Sequence, residues 1–287
     1  MRHLLHISDI HFGPNFRPEV AEGVQEMVRV RKPDLVIISG DVTRRAKQRQ
    51  FEDARAWVER LEAPWIVVPG NHDVPAYRVW ERLLDPYGSY RRHFQDELEP
   101  VFEDDELLVV GVNTAFKWTV KDGRFTKASL RRMEQLFSQA PAGKARLVIA
   151  HHQVTPPPRY DTQRVAERSV EAIELMRRLG VEVVFSGHQH QTYIATSEEY
   201  RPSGSSPTLF LHSGSTTSSR GRGWERGRNS CNWLVIDEQT IAVHHLLWSS
   251  EEKYFYEWQR RRFPRRSCEP YALGGAFDPR AVTETAR

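Results

Sequence analysis

The stretch "VVPGNHDVP", residues 67–75, is an apolar run that ends in a glycine and then gives Asn71, His72 and Asp73 in succession. These three side chains need water or hydrogen-bonding partners, so a place directly after a buried-strand pattern is unusual for them. The same pattern recurs along the chain, because five short apolar runs are each followed by Asp, Asn or His. The five runs are residues 3–9, 34–41, 64–73, 145–152 and 181–190.

The apolar runs are rich in Val, Ile and Leu without clean alternation, which is typical of strands covered on both faces. Apolar residues at helical spacing occur between the runs, and alternating strands and helices predict βαβ units with a parallel sheet. Helices are predicted over residues 17–31, 46–61, 77–98 (interrupted near "DPYGS"), 127–139 and 165–179. Further strands joined by short turns are predicted over residues 106–113, 207–214, 232–237 and 240–248.

The composition is that of an ordinary globular protein. Of 287 residues, 39% are hydrophobic and 28% are charged, and the formal net charge of +3 does not by itself indicate nucleic acid. Two cysteines make no disulfide framework, and no stretch approaches the ~20 apolar residues of a membrane span. His and Asp occur too early for a secretory signal. We therefore expect a cytoplasmic protein with one large α/β domain over residues 1–264 and a tail or surface strap over 265–287.

The polar residues that follow the apolar runs are of the types that bind metal ions. In α/β sheets, the loops at the carboxyl ends of the strands line one crevice, so these side chains should converge. Carboxylates and imidazoles without thiolates suit Mn, Fe or Zn. Seven or more candidate ligands exceed the needs of one ion, which favours two ions that share one carboxylate. The candidates are Asp9, His11, Asp41, Asn71, His72, His151, His152, His188 and His190.

Five short motifs in this order resemble the calcineurin-like metallophosphoesterase superfamily, from residue 3 to about residue 190. They are Asp9-x-His11, Gly40-Asp41, Gly70-Asn71-His72-Asp73, His151 and Gly187-His188-x-His190. The resemblance implies a four-layer α/β/β/α sandwich with a dinuclear metal site at the carboxyl ends of the strands. It also implies the ligands: Asp9, His11 and His190 for the first ion, Asn71, His151 and His188 for the second, and Asp41 as the bridge.

The resemblance assigns two further residues to catalysis. In the family, the counterpart of His72 contacts the phosphoryl oxygens or the leaving group, and the acid that follows it, here Asp73, orients it. His151 is followed by a second histidine, His152, and we expect the first of the pair to be the ligand. The implied reaction is hydrolysis of a phosphoester by attack of a hydroxide that bridges the two metal ions.

Within the superfamily, the sequence is most similar to the compact bacterial cyclic-nucleotide phosphodiesterases. It departs from them after the bridging aspartate, where they often carry small or acidic residues and this chain reads "GDVTRRAKQRQ". Arginines make bidentate contacts with phosphate groups. We therefore expect Arg44 and Arg45, together with Arg220 and Arg222 in the long loop 213–229, to bind substrate.

The leading hypothesis is a dinuclear phosphodiesterase that acts on a small nucleotide-like substrate. An alternative is a pyrophosphatase for a nucleotide-linked lipid precursor, similar to the UDP-diacylglucosamine hydrolases. A repair nuclease is a third, although the sequence has no segment for the capping domain and dimer elements of those enzymes. The aromatic and basic residues 248–266 suggest either a peripheral membrane contact or a final strand and strap over the core. All seven ligand positions are filled, which argues against a non-enzymatic scaffold.

Overall fold

A computed structural model describes residues 1–119, 121–156, 165–199 and 207–265. Two six-stranded sheets pack face to face between two layers of helices. The predicted four-layer α/β/β/α sandwich is therefore confirmed. All but the first residue of the predicted tail, residues 265–287, lie outside the described residues. Every helix within the described ranges is too short or too polar to cross a lipid bilayer.

The strands occur where the apolar runs predict them, and three further strands complete the sheets. The described residues form β1 (Arg2–Ile7), β2 (Leu35–Ile38), β3 (Trp65–Val67), β4 (Val101–Glu103), β5 (Leu107–Val112), β6 (Ala145–Ala150), β7 (Val183–Ser186), β8 (Tyr193–Thr196), β9 (Leu209–His212), β10 (Ser230–Ile236), β11 (Thr240–Ser249) and β12 (Tyr254–Pro264). Strands β4 and β8 were not expected from the sequence. They have only three and four residues and lie at the edges of the second sheet.

The helices also follow their predicted ranges. They are α1 (Pro18–Arg31), α2 (Gln48–Glu59), α3 (Val79–Leu84), α4 (Gly88–His93), α5 (Lys127–Gln139) and α6 (Ser169–Arg178). The pattern over 77–98 folds as two helices, α3 and α4, and the break lies at the Asp-Pro-Tyr-Gly sequence that predicted it. Proline cannot donate the helical hydrogen bond and restricts the residue before it, which accounts for the break.

The strand order brings the carboxyl ends of the site-bearing strands together. The first sheet has the order β12-β11-β10-β1-β2-β3, in which β1, β2 and β3 are parallel. The second has the order β4-β5-β6-β7-β9-β8, in which β5, β6, β7 and β9 are parallel. The five strands that precede candidate ligands are β1, β2, β3, β6 and β7. All five therefore lie in parallel segments, and their carboxyl ends meet where the two sheets face each other.

Three apolar clusters correspond to the three interfaces between the four layers. Val24 of α1 packs in the cluster between the helices and the first sheet. Phe185 of β7 lies in the cluster between the two sheets. Phe137 of α5 lies in the cluster that covers the outer face of the second sheet. All three side chains are fully buried, and burial of apolar area at about 25 cal/mol per Å² is the main force that holds the layers together.

A buried ion pair also joins the two sheets. Glu182 precedes β7 in the second sheet, and Arg265 follows β12 at the edge of the first. The guanidinium donates two hydrogen bonds to the carboxylate, with N–O distances of 2.8 and 3.0 Å, and a third to the carbonyl oxygen of Asp237. Arg265 is thus anchored to both sheets.

Candidate metal centre

The first group of candidate ligands lies at the carboxyl ends of β1 and β7. Asp9 and His11 follow β1, and His190 follows β7. The Nε2 atoms of His11 and His190 lie 3.5 and 3.6 Å from Oδ1 of Asp9. Two ligand atoms that bind one zinc-sized ion at about 2.1 Å stand roughly 3.0–3.4 Å apart, so these three atoms are close to the spacing for a shared ion.

The second group is formed by residues that follow β3, β6 and β7. Nε2 of His151 lies 3.2 Å from Oδ1 of Asn71, and Nδ1 of His188 lies 3.0 Å from the same oxygen. The amide oxygen and the two imidazole nitrogens therefore point at a common position. His151 and His188 follow neighbouring strands of the second sheet, and the packing of the first sheet on the second brings Asn71 to them.

Asp41, which follows β2, lies between the two groups. Its Oδ2 is 3.7 Å from Nε2 of His11 in the first group, and its Oδ1 is 3.4 Å from Nε2 of His151 in the second. One carboxylate therefore offers one oxygen to each group. This is the geometry expected of a carboxylate that bridges two ions.

Three of these ligand atoms are buried and lack a hydrogen-bond partner within the described residues: Oδ1 of Asp9, Nε2 of His11 and Oδ2 of Asp41. Buried polar atoms are rarely left in this state unless they bind something. The other atoms of the same side chains are fixed. Oδ2 of Asp9 accepts hydrogen bonds from the Ser8 hydroxyl and the His188 amide, and Nδ1 of His11 lies 3.2 Å from the carbonyl oxygen of Thr43. The donor set thus fits a pair of divalent cations.

The backbone is strained at the ligands. Five of the seven have positive φ angles, between 51° and 69°: Asp9, His11, Asp41, His188 and His190. This left-handed region costs a non-glycine residue roughly 1 kcal/mol or more. The turns after β2 and β3 also lie very close together. A Cβ atom at Gly70 would lie only 2.3 Å from the amide nitrogen of Asp41. Glycine at this position allows the β2 and β3 turns to approach each other.

The ring of His72 lies next to the first group. It forms an edge-to-face contact with His11, with ring centroids 4.9 Å apart. Its Nδ1 lies 2.9 Å from both the carbonyl oxygen and a guanidinium nitrogen of Arg44. Burial, together with nearby His11 and Arg220, lowers the pKa of His72 to about 4, so the ring is neutral at pH 7.

Asp73 was expected to orient this ring, and the structure gives its carboxylate different partners. The carboxylate accepts hydrogen bonds from the amides of Val42, Thr43 and Gly70 and from the Thr43 hydroxyl. Asp73 therefore ties the turn after β3 to the turn after β2. The ring of His72 is held by Arg44 instead, a contact that sequence adjacency does not reveal.

The two adjacent histidines after β6 have different surroundings. Nδ1 of His151 lies 2.8 Å from the carbonyl oxygen of Ser39, which leaves Nε2 to face Asp41 and Asn71. Nδ1 of His152 lies 2.9 Å from the Thr114 hydroxyl, and its ring packs against those of His151 and His188, with centroids 4.8 and 4.6 Å apart. This geometry favours His151 as the ligand, as the sequence predicts. Although burial disfavours its charged form, the Asp41 carboxylate raises the pKa of His151 to about 9.

A cavity of about 320 Å³ opens beside the ligands and is lined by cations. All four arginines predicted to bind substrate line it, namely Arg44, Arg45, Arg220 and Arg222. The structure adds Tyr77 and Lys121, which the sequence patterns did not single out. Both lie in loops after strands of the ligand-bearing sheets, and a search of each such loop for aromatic and basic residues would have found them.

Glu225 anchors the loop that carries Arg220 and Arg222. It lies in a single 3₁₀ turn, Gly223–Glu225, and its fully buried carboxylate accepts a hydrogen bond from the Ser230 hydroxyl at 3.0 Å. Burial raises the pKa of Glu225 to about 7. The loop therefore contains a carboxyl group that keeps its proton in mildly acidic solution.

The comparisons with known proteins agree with this geometry. A model of the family named Calcineurin-like phosphoesterase matches residues 2–192, which is more than half of the chain. The chain therefore belongs to the calcineurin-like phosphoesterases, a family of hydrolases that act on phosphoesters and use pairs of divalent metal ions.

Curated relatives are moderately similar in sequence. A probable cyclic nucleotide phosphodiesterase from Synechococcus sp. is 28% identical over 172 residues, 58% of this chain and 62% of that protein. A probable glycerophosphodiester phosphodiesterase from Arcobacter nitrofigilis is 28% identical over 123 residues, 43% of each chain. These matches span less than two thirds of either relative. A probable cyclic nucleotide phosphodiesterase from Rhodococcus erythropolis is 24% identical over 262 residues, 85% of this chain and 82% of that one.

Two solved structures share the fold. A purple acid phosphatase from yellow lupin has a TM-score of 0.69 at 13% identity, over 96% of this chain and 57% of the phosphatase. A dimetal phosphatase from Danio rerio has a TM-score of 0.65 at 11% identity, over 92% of this chain and 99% of the phosphatase. At such low identity, the likeness concerns the architecture.

The Glu225→Gln variant should gain stability relative to the wild type as the pH rises from 5 to 8. The folded wild type keeps the proton up to about pH 7, whereas the unfolded carboxyl group releases it near its ordinary pKa of about 4.3. Stability is therefore lost between these two values, by up to about 3 kcal/mol, and glutamine removes this loss. Thermal unfolding of both proteins across this range measures it. The exposed Glu251→Gln variant is the control, and an equal pH dependence in all three proteins would contradict the expectation.

Proposed function

We propose that the chain is a metal-dependent phosphodiesterase that hydrolyses a small nucleotide-like phosphodiester with two divalent ions, for which Mn, Fe or Zn suits the ligands. One observation carries the proposal: the buried carboxylate of Asp41 offers one oxygen to each of two ligand groups. The names of the relatives, which specify cyclic nucleotide and glycerophosphodiester phosphodiesterases, support a small diester as substrate.

The chain's residues have separate parts in this reaction. When bound, two divalent ions would neutralise the phosphoryl oxygens and supply an activated water as the nucleophile. The ligands Asp9, Asn71 and His151 would hold them, as part of the two groups already described. The arginines of the cavity orient the phosphate by charge-assisted hydrogen bonds. Asp73 keeps the turns that present Asp41 and Asn71 in register.

His72 is the residue that would assist the leaving group. It lines the cavity beside the ligands, and its pKa near 4 makes the ring neutral at the pH of most cells. A neutral imidazole can donate one hydrogen bond to a developing oxyanion without carrying a charge. We assign His72 this role in the tautomer whose Nδ1 accepts a hydrogen bond from the Arg44 guanidinium, because that leaves the proton on Nε2 to be donated.

A second candidate function is favoured by the charge of the cavity. Five cationic side chains line it, Arg44, Arg45, Lys121, Arg220 and Arg222, and Asp41 is the only acid among the lining residues that the structure describes. Five positive charges are more than the single negative charge of a diester phosphate requires. It suits a substrate with a second anionic group, such as the pyrophosphate of a nucleotide-linked lipid precursor.

Asp41→Asn should reduce both the metal content and the activity. The substitution removes the negative charge shared by both ligand groups, so the Mn content should fall from two ions per chain to one or none. Metal analysis after Mn loading and dialysis measures this, alongside turnover of bis-(p-nitrophenyl) phosphate. Asp53→Asn, on the exposed face of α2, is the matched control. Two ions retained in Asp41→Asn would overturn the bridging assignment.

His72→Ala should keep both ions and the fold but lose about 10²-fold or more in kcat. The reason is that its ring contacts Arg44 and His11 and belongs to neither ligand group. Metal analysis and steady-state kinetics on the same preparation separate the two effects. Loss of one ion would show that His72 is a ligand.

Arg45→Ala and Arg222→Ala should raise KM for a nucleotide diphosphate substrate several-fold more than for bis-(p-nitrophenyl) phosphate. Both side chains line the cavity, and a second phosphate has more cations to contact. Arg44 is avoided here because it also holds His72. Arg49→Ala, exposed and outside the cavity, is the control. Equal effects on the two substrates would remove the support for the second candidate.

A further inference from the structure

A group of large apolar side chains is exposed beside the cavity. Tyr77, Trp80, Leu84 and Trp118 are 80%, 76%, 82% and 63% exposed, and we call them the apolar rim. Three of them belong to α3 or precede it, and all six residues of that helix are at least partly exposed. A short helix normally turns its apolar side chains to the core. This helix presents a tryptophan and a leucine, one turn apart, to solvent.

The helix is held in place by polar contacts. The guanidinium of Arg82 donates to the carbonyl oxygens of Pro75, Lys117 and Thr119 at 2.6–2.9 Å. The guanidinium of Arg78 donates to the carbonyl oxygen of Ala46 at 2.7 Å. These bonds join α3 to the segment that carries Trp118. Because no residue of the helix is buried, these polar contacts are what join the apolar rim to the rest of the protein.

Cations accompany the rim. The guanidinium of Arg45 lies 5.8 Å from the ring centroid of Tyr77, and the ammonium of Lys117 lies 5.0 Å from that of Trp118. Lys121 is exposed and lines the adjacent cavity. Of the acids on α3, Glu81 is paired with Arg78 at 2.6 Å. The surface thus combines exposed aromatic rings with positive charge.

Two other occupants of the rim fit these observations less well. A small substrate in the cavity could contact Tyr77, which lines it, but Trp80, Leu84 and Trp118 are not among the lining residues. A second copy of the chain would bring the cations of one rim against those of another, which is unfavourable. An anionic lipid surface satisfies both features, because tryptophan and tyrosine favour the headgroup region and Lys and Arg are attracted to acidic lipids.

We propose that the apolar rim docks the protein on an anionic lipid bilayer, with Trp80, Leu84 and Trp118 inserted among the headgroups and Arg45 and Lys117 against lipid phosphates. The cavity would then face the membrane surface at its edge. This inference goes beyond the proposed phosphodiesterase activity and does not depend on it. It also places the contact at α3 and not at the aromatic and basic residues of β12.

Vesicle sedimentation tests the proposal with the 287-residue chain. Vesicles of phosphatidylcholine alone are compared with vesicles of phosphatidylcholine and phosphatidylglycerol in a two-to-one ratio. The wild type should bind the mixed vesicles and bind the neutral ones much less. Binding should weaken at about 1 M salt, where the Debye length falls to about 3 Å. The double variant Trp80→Ser/Leu84→Ser should bind the mixed vesicles at least about tenfold more weakly, since two large apolar groups are lost.

Trp258→Ser is the matched control, because Trp258 is an equally large aromatic residue, 49% exposed, on β12. It should bind as the wild type does. Circular dichroism and turnover of bis-(p-nitrophenyl) phosphate should be unchanged in the double variant, whose altered residues lie outside the cavity. If turnover is absent in every protein, the activity fails while the vesicle result still stands.

Three outcomes would overturn the proposal: no wild-type binding to mixed vesicles, equal binding by the wild type and the double variant, or loss of binding in Trp258→Ser alone. A fourth concerns self-association. If sedimentation velocity shows that the wild type is a dimer and the double variant a monomer, the apolar rim is an interface between copies of the chain.

Discussion

The rest of the site depends on the charge of two buried carboxylates. Asp9 and Asp41 are essentially inaccessible to water, and each uses one oxygen in hydrogen bonds while directing the other at histidine nitrogens. Burying such charges without a counter-charge is costly. The nearby Asp41 carboxylate raises the pKa of His151 to about 9 although burial disfavours the charged ring. A histidine must be neutral to bind a metal ion, so metal binding, protonation and stability are linked at one place.

The four-layer architecture brings many polar side chains together at one buried position. Parallel strands present their carboxyl ends at one edge, and the packing of two such sheets doubles the number of turns that reach the same point. Compact turns are needed there, and five ligands accept left-handed backbone to provide them. The carboxylate of Asp73 compensates for part of this strain, because it binds the backbone amides of both adjoining turns. Stability contributed by the three apolar clusters between the layers offsets this local cost.

The strands and the convergence of the candidate ligands could be predicted from the sequence because their signals are local, whereas the four-layer arrangement was implied by the family resemblance. A buried strand followed at once by Asp or His is visible in a few residues, and strand polarity then places His190 beside Asp9 although 181 residues separate them. Contacts between side chains of different loops leave no comparable pattern in the sequence. The resemblance implied that Asp73 orients His72, but successive side chains of a 3₁₀ turn diverge, and the Asp73 carboxylate binds backbone amides instead. The edge strands β4 and β8 are too short to show a pattern.

The candidate metal ligands and the other cavity-lining side chains are different residues, and this separation has a consequence for specificity. The ligands define the class of reaction, since any phosphoester brought to two ions meets the same charges. In the proposed function, the choice among substrates falls to the cavity-lining side chains one turn further out: Arg44 and Arg45 after β2, Tyr77 after β3, Lys121 after β5, and Arg220 and Arg222 after β9. Each lies in the loop that follows a strand, where substitution disturbs little of the core. The charge of the cavity can therefore change while the metal ligands stay fixed, and sequence identity in the ligand motifs carries little information about the substrate.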